Sequence, residues 1–250
     1  MKRLSRLAVV GLFTTLAALA GHPVQAAEPG KIVVYGANGN IGSKIVAEAL
    51  NRGYTVVGVS RHPGPAGAKP NSRYSAVSGD ILDVNDVVEK ITGANAVVVS
   101  VGGYSPDNTP ENSTLNMAAQ IMISASRRLG DDAPRIFQVG GATTLNPSLE
   151  DMKANMPFPA PEGTAVYAML FGHWEALQRY RAASDIQWTV VTPALSITPG
   201  QRTGKFRLAS DTAIRDAKGN SAISQEDFAV AIINELENPQ FIGKRFTVGY

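Results

Sequence analysis

The sequence predicts an α/β fold: a doubly wound parallel sheet with helices on both faces, in a single domain. Three observations predict it. Short β-branched runs, apolar throughout, alternate with stretches of helical spacing, which is the mark of parallel strands covered on both sides. A glycine-rich turn joins the first run to the first helical stretch. No repeat, low-complexity tract or linker divides the chain, and 250 residues suit one large domain.

Taken in order, Lys31–Tyr35 is a β-branched run, and 41–51 places apolar residues at Ile41, Ile45, Val46, Ala49 and Leu50, a helical spacing that Gly53 stops. Thr55–Val59 is a second strand. A Pro- and Gly-rich loop over 62–70 leads to a third at 74–77. Asp83 is placed to cap a short helix ending at Ile91. A fourth strand spans 96–101, and a polar loop precedes a helix from about 111 to 129. A fifth strand covers 135–139, a long helix 163–183, and a sixth strand 187–192. Residues 195–223 are expected to form an irregular cap on the substrate side. Ser224 opens a last helix to about Leu236, and 246–248 is the last strand.

Composition removes much chemistry. There is no cysteine, hence no disulfide, thiolate metal site, iron–sulfur cluster or thiol nucleophile, and three histidines make a multi-histidine metal centre unexpected. Residues 1–26 have the form of a secretory signal: Lys2, Arg3 and Arg6, an uncharged run from Leu7 to Ala20 too short to span a bilayer, and Val24-Gln25-Ala26 as a cleavage site. The mature domain is then 27–250, periplasmic or secreted, or cytoplasmic if the signal is not used. Cleavage removes three positive charges and takes the net charge from +2 to −1. No basic stripe for nucleic acid and no second membrane-length run remain, so the expected partner is a small molecule.

The turn Gly36-Ala37-Asn38-Gly39-Asn40-Ile41-Gly42 is G-x-x-G-x-x-G between a strand and a helix. Its first glycine suits a tight turn, its second the approach of a pyrophosphate to the backbone, and its third the packing of helix on strand. The helix N-terminus supplies N–H donors to the anion. This context makes the sheet Rossmann-like and makes Gly36, Asn38, Gly39, Asn40, Ile41 and Gly42 candidate nucleotide contacts. An NAD-selective site places a carboxylate at the end of the second strand. Here that end is Ser60-Arg61, with no Asp or Glu between Glu48 and Asp80. Arg61, otherwise a solvated loop arginine, suits a 2′-phosphate, so NADP is expected over NAD.

Together with Gly79-Asp80, Val99-Ser-Val-Gly-Gly103, Phe137-Gln-Val-Gly-Gly-Ala142, Trp188-Thr-Val-Val-Thr-Pro193 and Ile223-Ser-Gln-Glu-Asp-Phe-Ala229, the turn resembles the atypical short-chain dehydrogenase/reductases, specifically the NAD(P)H-binding, NmrA-like or biliverdin-reductase-B-like group. The resemblance covers the whole mature chain. It implies that Asp80 and Ile81 border the adenine, that Ser100, Val101 and Gly102 pass beneath the ribose and pyrophosphate, and that Pro193 lies near the nicotinamide. Asp80 as a turn or cap residue and Pro193 as a strand terminator are the plainer alternatives.

The chain departs from the wider family where catalysis resides. Tyr104, Tyr167 and Tyr180 are followed four positions on by Asn108, Phe171 and Ser184, so no Tyr-x-x-x-Lys pair exists, and the usual serine after the fifth strand is replaced by Gly140-Gly141, with Thr143 and Thr144 beyond. Tyr167 is the candidate catalytic residue, against a packed helix tyrosine. His173 is read as structural. Six apart on one helix, the two are related by about 600°, or 240° net, which leaves their directions about 120° apart, so they need not share a site. The expected function is NAD(P)H-dependent reduction of a small conjugated acceptor (flavin, quinone or carbonyl), with water as proton source. The alternatives are a non-catalytic NADP-binding redox sensor of the NmrA kind and a sugar-nucleotide epimerase.

Overall fold

Strand β1 (Lys31–Tyr35) sits inside the sheet because both of its faces are apolar. Ile32 and Val34 point into one core with Ile45, Val46, Phe228 and Ile232, whereas Val33 and Tyr35 point into the other with Val87, Met122 and Leu177. Full burial of such a side chain is worth roughly 1.5–3 kcal/mol, so two covered faces hold the strand in place without any solvent side. The computed structural model describes residues 29–63, 72–146, 148–155 and 159–250. The expected signal at 1–26 and most of the 62–70 loop lie outside them.

Helix α1 (Asn40–Asn51) follows β1, then β2 (Thr55–Ser60), β3 (Tyr74–Ser78), α2 (Val84–Ile91), β4 (Ala96–Val99), α3 (Thr114–Leu129), β5 (Arg135–Val139), α4 (Leu149–Ala154), α5 (Ala165–Ala182), β6 (Trp188–Pro193), β7 (Ser196–Thr198), β8 (Arg207–Ala209), β9 (Ala222–Ser224), α6 (Gln225–Glu237) and β10 (Lys244–Gly249). The sheet order is β3-β2-β1-β4-β5-β6-β10-β8, parallel except for the β10–β8 pair. Helices α1 and α6 pack together on one face and α2, α3 and α5 on the other. This is the expected Rossmann-like, doubly wound sheet in one domain.

The differences are local. β4 ends at Val99, two residues early, and α3 starts at Thr114 because the Ser113 hydroxyl caps it by accepting from Asn116 N–H. The stretch 195–223 is not irregular throughout. It contains β7 and β9, which pair in parallel as a separate small sheet, and β8, which extends the main sheet antiparallel to β10. Three-residue strands are too short to show a period of two. Between β7 and β8 the backbone is strapped to both helices of one face. Arg202 forks onto buried Glu48 of α1 at 2.6 and 2.8 Å, and Asp227 of α6 accepts from Thr203 N–H at 2.8 Å and Gly204 N–H at 2.7 Å.

One buried ion pair crosses the core. Arg135 on β5 meets Glu235 on α6, each almost fully covered, and Glu235 also accepts from Gln240 and Phe241 N–H. Removing one partner of such a pair costs about 3–5 kcal/mol, because the other charge is left stranded.

Candidate functional site

The chain leaves β1 for α1 on one face and the neighbouring β4 for α3 on the other. This reversal opens a crevice at the C-terminal ends of the strands, where doubly wound sheets bind ligands. The glycine turn forms its floor. Gly36 has φ +78°, and its carbonyl oxygen accepts from Gly39 N–H at 2.9 Å. A Cβ on Gly42 would stand 2.1 Å from that same oxygen, so Gly42 is required for helix packing and lines neither half of the crevice. Gly39, the N-cap of α1, has no side chain to satisfy the helix's first N–H groups, and no acidic residue occupies the first turn. The other five α-helices among the described residues are capped by Asp83, Ser113, Ser148, Thr164 and Ser224. The free donors of α1 therefore face the crevice.

The crevice has two halves that share Gly39, Ser100, Val101 and Gly102. The first, about 520 Å³, also brings together Gly36, Asn38, Arg61, Asp80 and Ile81. Asn38 reaches Ser60 Oγ and the His62 carbonyl, each at 3.2 Å, and so ties the turn to the end of β2. Asp80 accepts from Leu82 N–H at 2.9 Å and shapes the turn after β3. Arg61 is exposed, and its guanidinium has no partner among the described residues. Sequence reasoning missed Tyr35 and Tyr104, which line this half. Tyr104 is 71% exposed at its rim, while the buried Tyr35 hydroxyl has no partner among the described residues and is held well above the usual tyrosine range by burial and by Asp86 and Asp80.

The second half, about 480 Å³, takes in Asn40, Ile41 and Pro193. It also holds residues that sequence reasoning did not assign to it, among them Thr143, Met169 and His173, together with Leu195 and Ile197 from the segment expected on the substrate side. Tyr167 is not there. Its ring stacks on Phe171 at 4.2 Å in a satellite core with Met152 and Trp174, and its hydroxyl lies 3.3 Å from Glu162 in a separate pocket. Burial and then Glu162 raise its pKa. The reason is rotational. Met169, Leu170 and His173 occupy the face of α5 turned to the crevice, and Tyr167 lies on the face turned toward α4. His173 is instead the ionisable group of this half, half-buried and with a pKa pushed down to about 4 by burial. Of the two threonines, Thr144 donates to the Gly141 carbonyl, and the Thr143 hydroxyl has no partner among the described residues.

Among the described residues no helix is long and apolar enough to cross a membrane, and no group of three His, Asp or Glu residues could hold a metal.

Residues 36–239 match the family described as NAD(P)H-binding. A solved structure from Bacteroides thetaiotaomicron, named as an epimerase, is 33% identical, with a TM-score of 0.74 over 89% of this chain and 97% of that one. A Burkholderia pseudomallei structure named as an exported protein is 32% identical, with a TM-score of 0.73 over 88% and 99%. A Streptococcus pneumoniae structure named as an NADH-flavin reductase is 27% identical, with a TM-score of 0.71 over 88% and 98%. The chain thus belongs to the NAD(P)H-binding family of atypical short-chain dehydrogenases/reductases.

Proposed function

We propose that this protein is an NADPH-dependent oxidoreductase that reduces a small conjugated acceptor: a flavin, a quinone or another carbonyl compound. The observation that carries the reading is the uncapped N-terminus of α1, opening at Gly39 into a crevice that runs on into an apolar chamber. The residues fit a dinucleotide. The space a Cβ on Gly39 would take, and the open side of Gly102, leave backbone free to approach a pyrophosphate. The free guanidinium of Arg61 suits a 2′-phosphate. When bound, a reduced nicotinamide supplies a hydride, which with one proton from water adds two electrons to the acceptor. The chain's own part is to bind, orient and keep water from the apolar half. Isothermal titration with NADPH and NADH, followed by NADPH oxidation with flavin, quinone and aldehyde acceptors, tests the reading; absence of NADPH binding would remove it.

A second reading, a non-catalytic NADP-binding sensor, is favoured by one observation: the acceptor half holds no acidic side chain and no Tyr–Lys pair. NADPH binding without turnover of any acceptor would select it. We also propose export, from the form of residues 1–26. Mass spectrometry of protein from its native cells should find an N-terminus at Ala27, and a chain beginning at Met1 in the cytoplasm would refute it.

A further inference from the structure

The walls of the second half of the crevice hold no Lys, Arg, Asp or Glu. They are aliphatic or glycine except for a few neutral polar groups. None of the polar side chains there, Asn40, Ser100, Thr143 and His173, has a hydrogen-bond partner among the described residues; the Thr143 hydroxyl is buried and the His173 imidazole half-buried. Polar groups at such depth are nearly always hydrogen-bonded, and the half-buried imidazole of His173, which lines the chamber, is one that a ligand there can satisfy. The imidazole is also held in place. A Cβ on Gly141 would stand 2.6 Å from its Cδ2, so the glycine leaves room for the ring just beyond the end of β5.

We propose that this chamber takes an uncharged, planar carbonyl acceptor of the quinone class, with His173 donating a hydrogen bond to its carbonyl oxygen. The inference rests on the oxidoreductase reading and narrows it. With the cofactor's pyrophosphate at the α1 N-terminus, a phosphorylated flavin or a sugar nucleotide would bring a further phosphate against walls without a cation, where an unpaired charge is strongly disfavoured. A quinone brings a flat apolar body and one or two acceptor oxygens, which match aliphatic walls and N–H or O–H donors. About 480 Å³ is enough for a bicyclic ring, within the range of small-molecule sites. Burial keeps His173 neutral at physiological pH, so it donates without adding charge to the chamber.

The test titrates 2-methyl-1,4-naphthoquinone and flavin mononucleotide into the full chain, with and without NADP⁺, reading tryptophan fluorescence, alongside steady-state NADPH oxidation. The quinone should bind at least about tenfold more tightly than the flavin phosphate. His173→Leu should weaken quinone binding and raise its KM by about three- to tenfold, the worth of one hydrogen bond, with NADPH affinity unchanged. His173→Asn, which keeps an N–H donor, should retain most of the affinity. If the leucine variant melts early, His173→Met fills the space with a flexible side chain and no donor. Equal or tighter binding of the flavin phosphate, or quinone binding indifferent to His173, overturns the inference. Quinone binding that depends on His173 but gives no turnover leaves the chamber assignment standing and removes the reductase reading.

Discussion

The carbonyl oxygen of Ser100 lies 2.2 Å from where a Cβ on Gly36 would stand. Gly36 is thus fixed by the fold twice over, by this contact and by its φ of +78°, and its substitution cannot report on ligand binding alone. Gly39 differs. Its added Cβ would approach the Gly36 carbonyl to 3.2 Å, a contact a small shift relieves. Gly39→Val is expected to abolish nucleotide binding with circular dichroism and melting near wild type, whereas Gly36→Val should lower the melting temperature by several degrees. Retained NADPH affinity in Gly39→Val would mean that the turn serves the fold only.

Arg61→Ala removes a cation with no partner among the described residues, so no stability should be lost. A charge-assisted contact to a phosphate is worth about 1.5–3 kcal/mol. NADPH affinity should therefore fall roughly tenfold to a hundredfold, with NADH affinity unchanged, by calorimetry. Equal losses for the two cofactors would show that Arg61 does not read the phosphate.

Tyr167→Phe deletes a hydroxyl that meets Glu162 outside the crevice. A positioned acid contributes about 10²–10⁴-fold to rate; here turnover should change by less than about twofold. A fall of a hundredfold with NADPH affinity intact would place Tyr167 back in the chemistry.

The sheet was legible because its inner strands are apolar at every position, and Asp83 and Ser224 announced their helices as caps. The turn was legible because glycine spacing, strand and helix coincide. The acceptor chamber was not. Helix α5 is covered on one side by the sheet and on another by the Met152–Trp174 cluster, so its apolar pattern does not single out a face. The wheel separated Tyr167 from His173 without telling which one met the crevice. Helix α4 was missed because six residues give too little periodicity.

The strap between β7 and β8 makes stability depend on pH. Burial alone would raise the Asp227 pKa, but hydrogen bonds from the Thr203 hydroxyl and from Gly204 and Tyr250 outweigh it and leave the value lowered; Glu48 is lowered in the same way by Arg202 and Arg52. The unfolded chain therefore takes up protons before the folded one as pH falls. This stabilisation is complete above the ordinary carboxylate range of about 4 and disappears as pH drops through the lowered native values. Urea unfolding between pH 2 and 6 should show this decline. Asp227→Asn should lower stability at pH 7 by about 1.5–3 kcal/mol and flatten the acid slope; an unchanged slope would show that the strap is not the source.

The partnership of α1 with α6 also sets when the molecule can finish folding. Arg52 at the end of α1 grips Glu237 at the end of α6, 185 positions later, and β10, beyond α6, seals the β6 edge. A growing chain consequently has one greasy face of its sheet covered by α1 alone until synthesis is nearly over, since contacts so far apart in sequence must wait for their second half. Its incomplete chain therefore keeps apolar surface open to solvent for longer than a protein whose first half closes on itself.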